Sequence, residues 1–126
     1  MFTSNPYIAY KQNTINMASK EQLLLMLVDG AVKYTKIAKM AIEKRDIQAA
    51  HKELTRVQDI FTELMSTLDM NAGETAENLF NLYDFIKRQL VQANMKKDVQ
   101  IIDETLPLIE EVRDMWYEVS KKAKGL

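Results

Sequence analysis

The chain has 126 residues, a net charge of −1 and no cysteine. This length suits one domain, and the lack of cysteine excludes disulfides, thiol nucleophiles and cysteine-ligated metals. The balanced charge argues against a general attraction to nucleic acid or anionic membranes. No apolar run approaches the roughly 20 residues of a membrane span, and no secretory signal is visible. We therefore expect a cytoplasmic protein that neither enters membranes nor binds nucleic acid.

Residues 1–18 differ in character from the rest of the chain. They mix Asn, Thr, Ser and Gln with large apolar side chains, which a purely disordered tail rarely carries. The large apolar residues are Phe2, Tyr7, Ile8, Tyr10, Ile15 and Met17. We expect this segment to dock reversibly on the remaining domain, residues 19–126.

The first helix is predicted to begin after Ser19. Gln22 follows the cap at the spacing of a capping box. The helix is expected to end at Lys44–Arg45, where positive charge favours the C-terminal dipole. Its inward positions are predicted to be Leu23, Leu27, Tyr34, Ala38 and Ala41.

Two further helices follow with apolar residues at steps of three and four, the spacing of bundled helices. Asp46 is placed to cap the second helix, residues 69–73 read as a loop, and residues 94–98 read as a turn that ends in the cap Asp98. The second stripe contains Ile47, Ala50, Leu54, Val57, Phe61, Leu64 and Leu68. The third contains Ala76, Leu79, Tyr83, Ile86, Leu90 and Ala93.

The fourth helix contains Pro107, which removes a backbone hydrogen bond. Because the apolar period continues through it, we predict a kinked but continuous helix; the alternative is a break with Thr105 as a new cap. The stripe contains Val99, Ile102, Leu106, Ile109, Val112, Trp116 and Val119. Four such helices with short connections predict an all-α, antiparallel, up-down-up-down four-helix bundle.

The sequence offers little for catalysis, and no enzyme activity, metal or cofactor is expected. His51 is the single histidine, and Gln48 stands where a di-iron bundle would need glutamate. A histidine phosphotransfer domain that uses His51 is the alternative function, but Glu53 would repel the incoming phosphoryl group. An ordinary surface histidine is the simpler interpretation.

Several helices carry more apolar surface than one stripe requires. Ile101, Leu108 and Met115 form a second row at heptad spacing on the fourth helix, about 100° from Ile109. Leu25 and Val32 are expected to point away from the first helix's stripe. These groups could fill a wide core, or the bundle could assemble with itself through them.

The third helix places Phe85 almost opposite Tyr83, with Leu82 to the side. The neighbours of Phe85 are uncharged and therefore cheaper to desolvate than Lys or Glu. Together with eight methionines, which adapt to varied shapes, this favours a groove for an amphipathic helix or for a segment that folds on binding. The uncharged neighbours are Asn78, Asn81, Gln89 and Gln92.

Stretches along nearly the whole chain, in order, resemble the bacterial flagellin export chaperone family, FliS. The matching stretches are Ala18-Ser19, Leu23-Leu24-Leu25-Met26-Leu27, Asp29-Gly30-Ala31, Gln58-Asp59-Ile60, Glu63-Leu64, Leu68-Asp69-Met70, Gly73-Glu74, Ala76-Glu77-Asn78-Leu79, Leu82-Tyr83-Asp84-Phe85, Ala93-Asn94, and Arg113-Asp114 with Trp116. Tyr7 and Tyr10 are similar to the family's N-terminal segment. Lys20, where the family usually has proline, and Pro107 depart from the pattern.

The resemblance implies a chaperone that wraps the disordered C-terminal segment of flagellin around an antiparallel bundle. It implies that premature polymerisation is prevented, that the client stays ready for the flagellar type III export apparatus, and that the N-terminal segment covers part of the binding surface until the client arrives. The expected partner-binding residues are Tyr7, Ile8, Tyr10, Leu82, Phe85, Ile101, Leu108 and Met115.

Overall fold

The computed structural model describes residues 19–124, which form four α-helices and one short 3₁₀ turn. The bounds are α1 Lys20–Glu43, α2 Ile47–Ser66, the 3₁₀ turn Met70–Ala72, α3 Glu74–Lys96 and α4 Val99–Ala123. Residues 19–124 contain no β-strand, which confirms the all-α prediction. The expected docking residues Tyr7, Ile8 and Tyr10 lie outside the described residues.

The four helices form a closed ring in which each packs against its two neighbours along the chain, and α4 closes the ring on α1. Diagonal helix pairs make no close backbone approach. Short connections bring successive helices back alongside one another, so neighbours are antiparallel. The predicted four-helix bundle is confirmed, and its core lies along the axis of the ring.

Local capping chemistry fixes where three of the helices begin. The Ser19 hydroxyl accepts from the backbone N–H of Gln22 at 3.1 Å, and the Gln22 side chain accepts from the Ser19 N–H at 3.0 Å. Asp46 and Asp98 cap α2 and α4 through their carboxylates. Each cap satisfies an N–H group that lacks a partner inside its helix. All three predicted caps are confirmed.

The ends of α1 and α3 differ from the sequence prediction by one to three residues. Helix α1 ends at Glu43, with Lys44 as its C-cap and Arg45 at φ 61°. Helix α3 continues through residues expected to form a turn and ends at Lys96, after which Lys97 adopts a left-handed conformation at φ 50°. Residues in that conformation terminate helices because their amides turn back onto the last carbonyls. The expected loop at 69–73 contains the 3₁₀ turn.

Most predicted stripe residues are buried, and Ile47 and Val119 are exposed. The half-buried ones are Tyr34, Leu68, Leu79, Val99, Leu106 and Trp116. Ile47 is 50% exposed because it is the first residue of α2, beyond the packed part of the bundle. Tyr34 is half-buried at the α1–α2 edge, where the Arg56 guanidinium lies 3.8 Å from its ring centroid. Val119 is exposed near the end of α4, and the neighbouring Ser120 is buried instead. Because a helix has 3.6 residues per turn, a repeating apolar stripe drifts slowly around its surface. Residues near the helix ends are therefore the first to turn away from the core.

Pro107 lies inside an unbroken α4. The alternative of a break capped by Thr105 is wrong, because the buried Thr105 hydroxyl donates to the Ile101 carbonyl at 2.7 Å within the helix. The Pro107 side chain is exposed, so the backbone group left without its helical partner lies near solvent.

The burial difference along α2 predicts a large difference in stability between two truncations. Leu54 is 0% exposed, so Leu54→Ala should lower the free energy of unfolding by about 2–5 kcal/mol through lost burial and a cavity. Ile47→Ala on the same helix should change it by less than about 0.5 kcal/mol. Urea unfolding followed by circular dichroism measures both, and equal losses would contradict the burial pattern.

Candidate functional site

The rotation of α4 is marked by three polar contacts to α1. Asp103 pairs with Lys39 at 2.7 Å, Glu110 lies 3.8 Å from Lys36, and the Tyr117 hydroxyl bonds to Asp29. Positions 103, 110 and 117 are seven residues apart and share one edge of the helix. That edge therefore faces α1.

Ile101, Leu108 and Met115 each stand two residues before one of those α1 contacts, about 200° around the helix. They therefore lie on the other edge of α4, towards its second neighbour, α3. All three are half-buried, and Ile101 and Leu108 pack against the core. The structure thus brings the predicted heptad row together along the α3–α4 seam, where the helices approach less closely than in the other neighbouring pairs.

Asn94 contacts His51 of α2 and so marks the α2 edge of α3. Leu82 and Phe85 lie about 120° and 180° around the helix from Asn94, away from α2. Leu82 is half-buried against the core, whereas the Phe85 side chain is 44% exposed. Tyr83, predicted to face the opposite way from Phe85, is almost completely buried. Of the uncharged neighbours of Phe85, Asn78, Asn81 and Gln92 are exposed and Gln89 is half-buried. Phe85 is thus a surface aromatic beside uncharged amides, with the Arg88–Asp84 ion pair next to it.

An apolar groove of about 530 Å³ opens at one end of the bundle, between the start of α1 and the ends of α2 and α4. Its apolar lining includes Leu24, Leu25, Leu68, Trp116 and Val119. The groove could not be predicted from the pattern of any one helix, because the ends of three helices form its walls. The available signal is Val119, which stands one helical turn after Met115 and continues the apolar surface into the groove.

The two α1 residues expected to point outward have different positions. Leu25 is half-buried and lines the groove, which agrees with the prediction that it points away from the main stripe. Val32 is buried in the core, so the prediction of an outward Val32 is wrong. Helix α1 packs against both α2 and α4, and a helix with two neighbours buries a wider arc than one stripe.

A hydrogen bond supports the floor of the groove. The Trp116 indole N–H donates to the Tyr83 hydroxyl at 2.7 Å, and the Tyr83 ring meets Phe61 edge-on at 5.8 Å between centroids. Burial raises the pKa of Tyr83, and the Trp116 hydrogen bond opposes part of that rise. The bond pairs the polar atoms of two large aromatic side chains, so both rings can pack against the core without an unpaired polar group.

His51 lies away from this groove and the α3–α4 seam. It is exposed on α2, and its Nδ1 lies 2.9 Å from the Asn94 side-chain amide nitrogen. The Lys97 ammonium donates to the Asn94 side-chain oxygen at 2.8 Å. The histidine is thus part of a polar contact between α2 and the end of α3, and the phosphotransfer alternative is not supported.

The helices in residues 19–124 include none that combines the length and apolar character needed to cross a membrane. The same residues contain no group of three or more His, Asp or Glu side chains arranged to hold a metal ion. The apolar row, Phe85 and the end groove together form the candidate binding surface.

A helical bundle that encloses its own core and leaves an apolar row and groove open has the features of a protein that binds other polypeptides. Comparisons with known proteins identify the family to which this chain belongs. The chain belongs to the family described as flagellar protein FliS, whose model matches residues 3–123.

Named relatives match nearly the full length of the chain. It is 38% identical to the flagellar secretion chaperone FliS of Bacillus subtilis, over 92% of this chain and 86% of the relative. It is 35% identical to the Salmonella typhimurium protein of the same name, over 98% and 96%. A crystal structure of a bacterial flagellar chaperone shares the fold with a TM-score of 0.73 at 19% identity, covering 92% of this chain and 95% of that one.

The Tyr83–Trp116 pair predicts a pH-dependent difference between the wild type and Tyr83→Phe. At neutral pH the variant should lose about 1 kcal/mol of unfolding free energy with the hydrogen bond. A raised pKa in the folded state gives stability that is present below the ordinary tyrosine pKa and is lost as the pH rises through the folded-state value. The variant lacks this group, so its stability should fall less steeply above about pH 10. Parallel slopes in urea titrations at rising pH would contradict this.

Proposed function

We propose that this protein is an export chaperone that binds the disordered C-terminal segment of flagellin, prevents its premature polymerisation and keeps it competent for flagellar type III secretion. The client is bound before export, so we place the interaction in the cytoplasm. The supporting observation is the apolar row that runs from Ile101 through Leu108 and Met115 to Val119 and into the end groove. The chaperone names of the relatives agree with this role.

We call the surface formed by Leu82, Phe85, Ile101, Leu108 and Met115 the client track. From position 101 to position 119, α4 rises about 27 Å, enough for roughly five turns of a bound helix. Ordering a disordered segment costs roughly 2–5 kcal/mol, which must be offset by apolar burial. A long track next to a groove offers that burial at about 25 cal/mol per Å².

The uncharged amides beside Phe85 suit an interface that forms and separates. Removing amides from water costs less than removing ammonium or carboxylate groups, particularly when the client supplies hydrogen bonds. Asn78, Asn81 and Gln92 can therefore be covered and uncovered without breaking ion pairs. Release into the export apparatus, the second proposed partner, requires this kind of reversible contact.

The N-terminal segment is proposed to act as a lid over the groove. The described region begins at Ser19, and the next residues, Lys20 and Glu21, line the groove, so residues 1–18 join the domain at its mouth. The segment has no Asp or Glu to oppose burial beside Glu21, and it supplies Tyr7, Ile8 and Tyr10 as apolar groups. We propose that these residues occupy the groove until the client displaces them.

The client track is tested by titrating a labelled flagellin C-terminal peptide against full-length protein. Phe85→Asp should weaken binding at least tenfold, in the range of interface hot spots, because a carboxylate replaces the aromatic anchor. Its thermal stability should change little, because the side chain is 44% exposed. If the variant unfolds, Phe85 belongs to the core and its assignment to the track is wrong.

Met40→Asp is the matched control for this test. Met40 is 52% exposed on α1, diagonally across the ring from α3, so the same change there should leave peptide binding intact. Sedimentation with and without peptide separates the chaperone from a self-assembling bundle. A chaperone should form a one-to-one complex, whereas self-association unaffected by peptide would contradict the proposal.

The lid predicts that deleting residues 1–17 leaves the bundle folded but tightens peptide binding, because the client no longer displaces the segment. In the full-length chain, replacing Tyr7, Ile8 and Tyr10 together by alanine should have the same effect. The control replaces the polar residues Asn13, Thr14 and Asn16 by alanine. Calorimetric titration measures the affinities, and unaltered affinity in the deletion would refute the lid.

A further inference from the structure

Three carboxylates run beside the apolar row of the client track. Glu104, Glu111 and Glu118 each follow one of Ile101, Leu108 and Met115 by three residues. Positions three apart are neighbours on a helix surface, so the two rows run in parallel along α4. All three glutamates are exposed, and from the first to the last they span about 21 Å. We call Glu104, Glu111 and Glu118 the acidic rim.

The acidic rim carries negative charge that the described part of the chain does not neutralise. The other acidic row on α4, Asp103 and Glu110, pairs with lysines of α1. Within residues 19–124, by contrast, none of the three rim glutamates forms an ion pair, and the nearest polar contact is a 3.4 Å hydrogen bond from Gln100 to Glu104. Lys122 bounds the rim at its C-terminal end.

The opposite side of the track carries no net charge over the same distance. Helix α3 presents Asn78, Phe85 and Gln92 there, and all three are exposed. The nearby Arg88 pairs with Asp84 at 3.1 Å, and Lys96 stands at the far end of the helix. The track therefore has a negative rim on α4 and a neutral rim on α3.

We propose that the acidic rim selects the cationic flank of the client helix and thereby fixes how that helix is rotated in the track. This inference rests on the proposed function. The occupant is an amphipathic helix whose apolar face enters the track and whose Lys or Arg residues, on one flank at spacings of three, four or seven, face Glu104, Glu111 and Glu118. A client with acidic residues on that flank is disfavoured.

Charge on one rim can select the rotation of the client helix, because an apolar track alone accepts the helix in several rotations. A helix can be rotated by one position in an apolar track at a modest loss of burial, but that rotation moves its cations away from the carboxylates. Exposed ion pairs are individually weak and sensitive to salt, so the effect depends on several acting together. Opposite charges also speed the first encounter with the client.

The test compares full-length wild type with the triple variant Glu104→Gln, Glu111→Gln and Glu118→Gln. Glutamine keeps the side-chain length and helix propensity, so the fold should be preserved and is checked by circular dichroism. Affinity for the flagellin C-terminal peptide should fall roughly 5- to 20-fold at about 0.05 M salt, and the difference should shrink towards unity near 0.5 M salt.

The matched control removes the same three negative charges elsewhere, with Glu43→Gln, Asp59→Asn and Glu77→Gln. These residues are exposed, and the helical geometry places them away from the α3–α4 seam. Their loss should change affinity less than twofold if the effect is local. Equal effects of the two triples, or no effect of either, would overturn the selective role of the rim while leaving the chaperone proposal intact. Failure of the wild type to bind peptide at any salt would overturn both.

Discussion

The rotation of α4 about its own axis is the constraint on which both the bundle and its open surface depend. Ile102, Ile109 and Val112 turn one face into the core. The contacts of Asp103, Glu110 and Tyr117 with α1 occupy the adjoining edge. Once these two faces are assigned, the row of Ile101, Leu108 and Met115 must lie along α3. The core burial dominates this choice in energy, because surface ion pairs are weak.

The buried polar side chains of the bundle find their partners within the chain. The buried hydroxyls of Thr35 and Thr105 each donate to a carbonyl one turn earlier, at 2.7 Å. Glu53, largely buried, accepts from Arg56, whose guanidinium also stacks on the Tyr34 ring. Buried polar groups left unpaired would cost far more than these local bonds contribute. None of these buried polar side chains therefore needs a bound client to supply its partner.

Features decided within a few residues of chain could be predicted from the sequence. Ser19, Asp46 and Asp98 were recognised as caps because a cap bonds to amides two or three positions away. The heptad row of α4 is visible in the sequence because its apolar residues recur every seven positions. The resemblance to FliS supplied the client, which spacing alone did not identify.

Features decided by neighbouring helices could not be predicted in the same way. The pattern of α1 predicts an outward Val32 because one helix does not show that α4 lies beside it. Periodicity predicts that Ile47 and Val119 point inward, because it does not reveal where the packed length of the bundle ends. The end groove belongs to no single element, since α1, α2 and α4 each contribute only part of its wall. Such features depend on three-dimensional packing rather than on local preference.

The position of Trp116 has a practical consequence. It is the single tryptophan of the chain, it lines the end groove, and its indole nitrogen donates to a buried tyrosine. The tryptophan fluorescence of the native protein, excited selectively over that of the five tyrosines, therefore originates at the groove. Its emission wavelength and its quenching by iodide should report when the groove is covered, so the unlabelled protein contains its own optical probe.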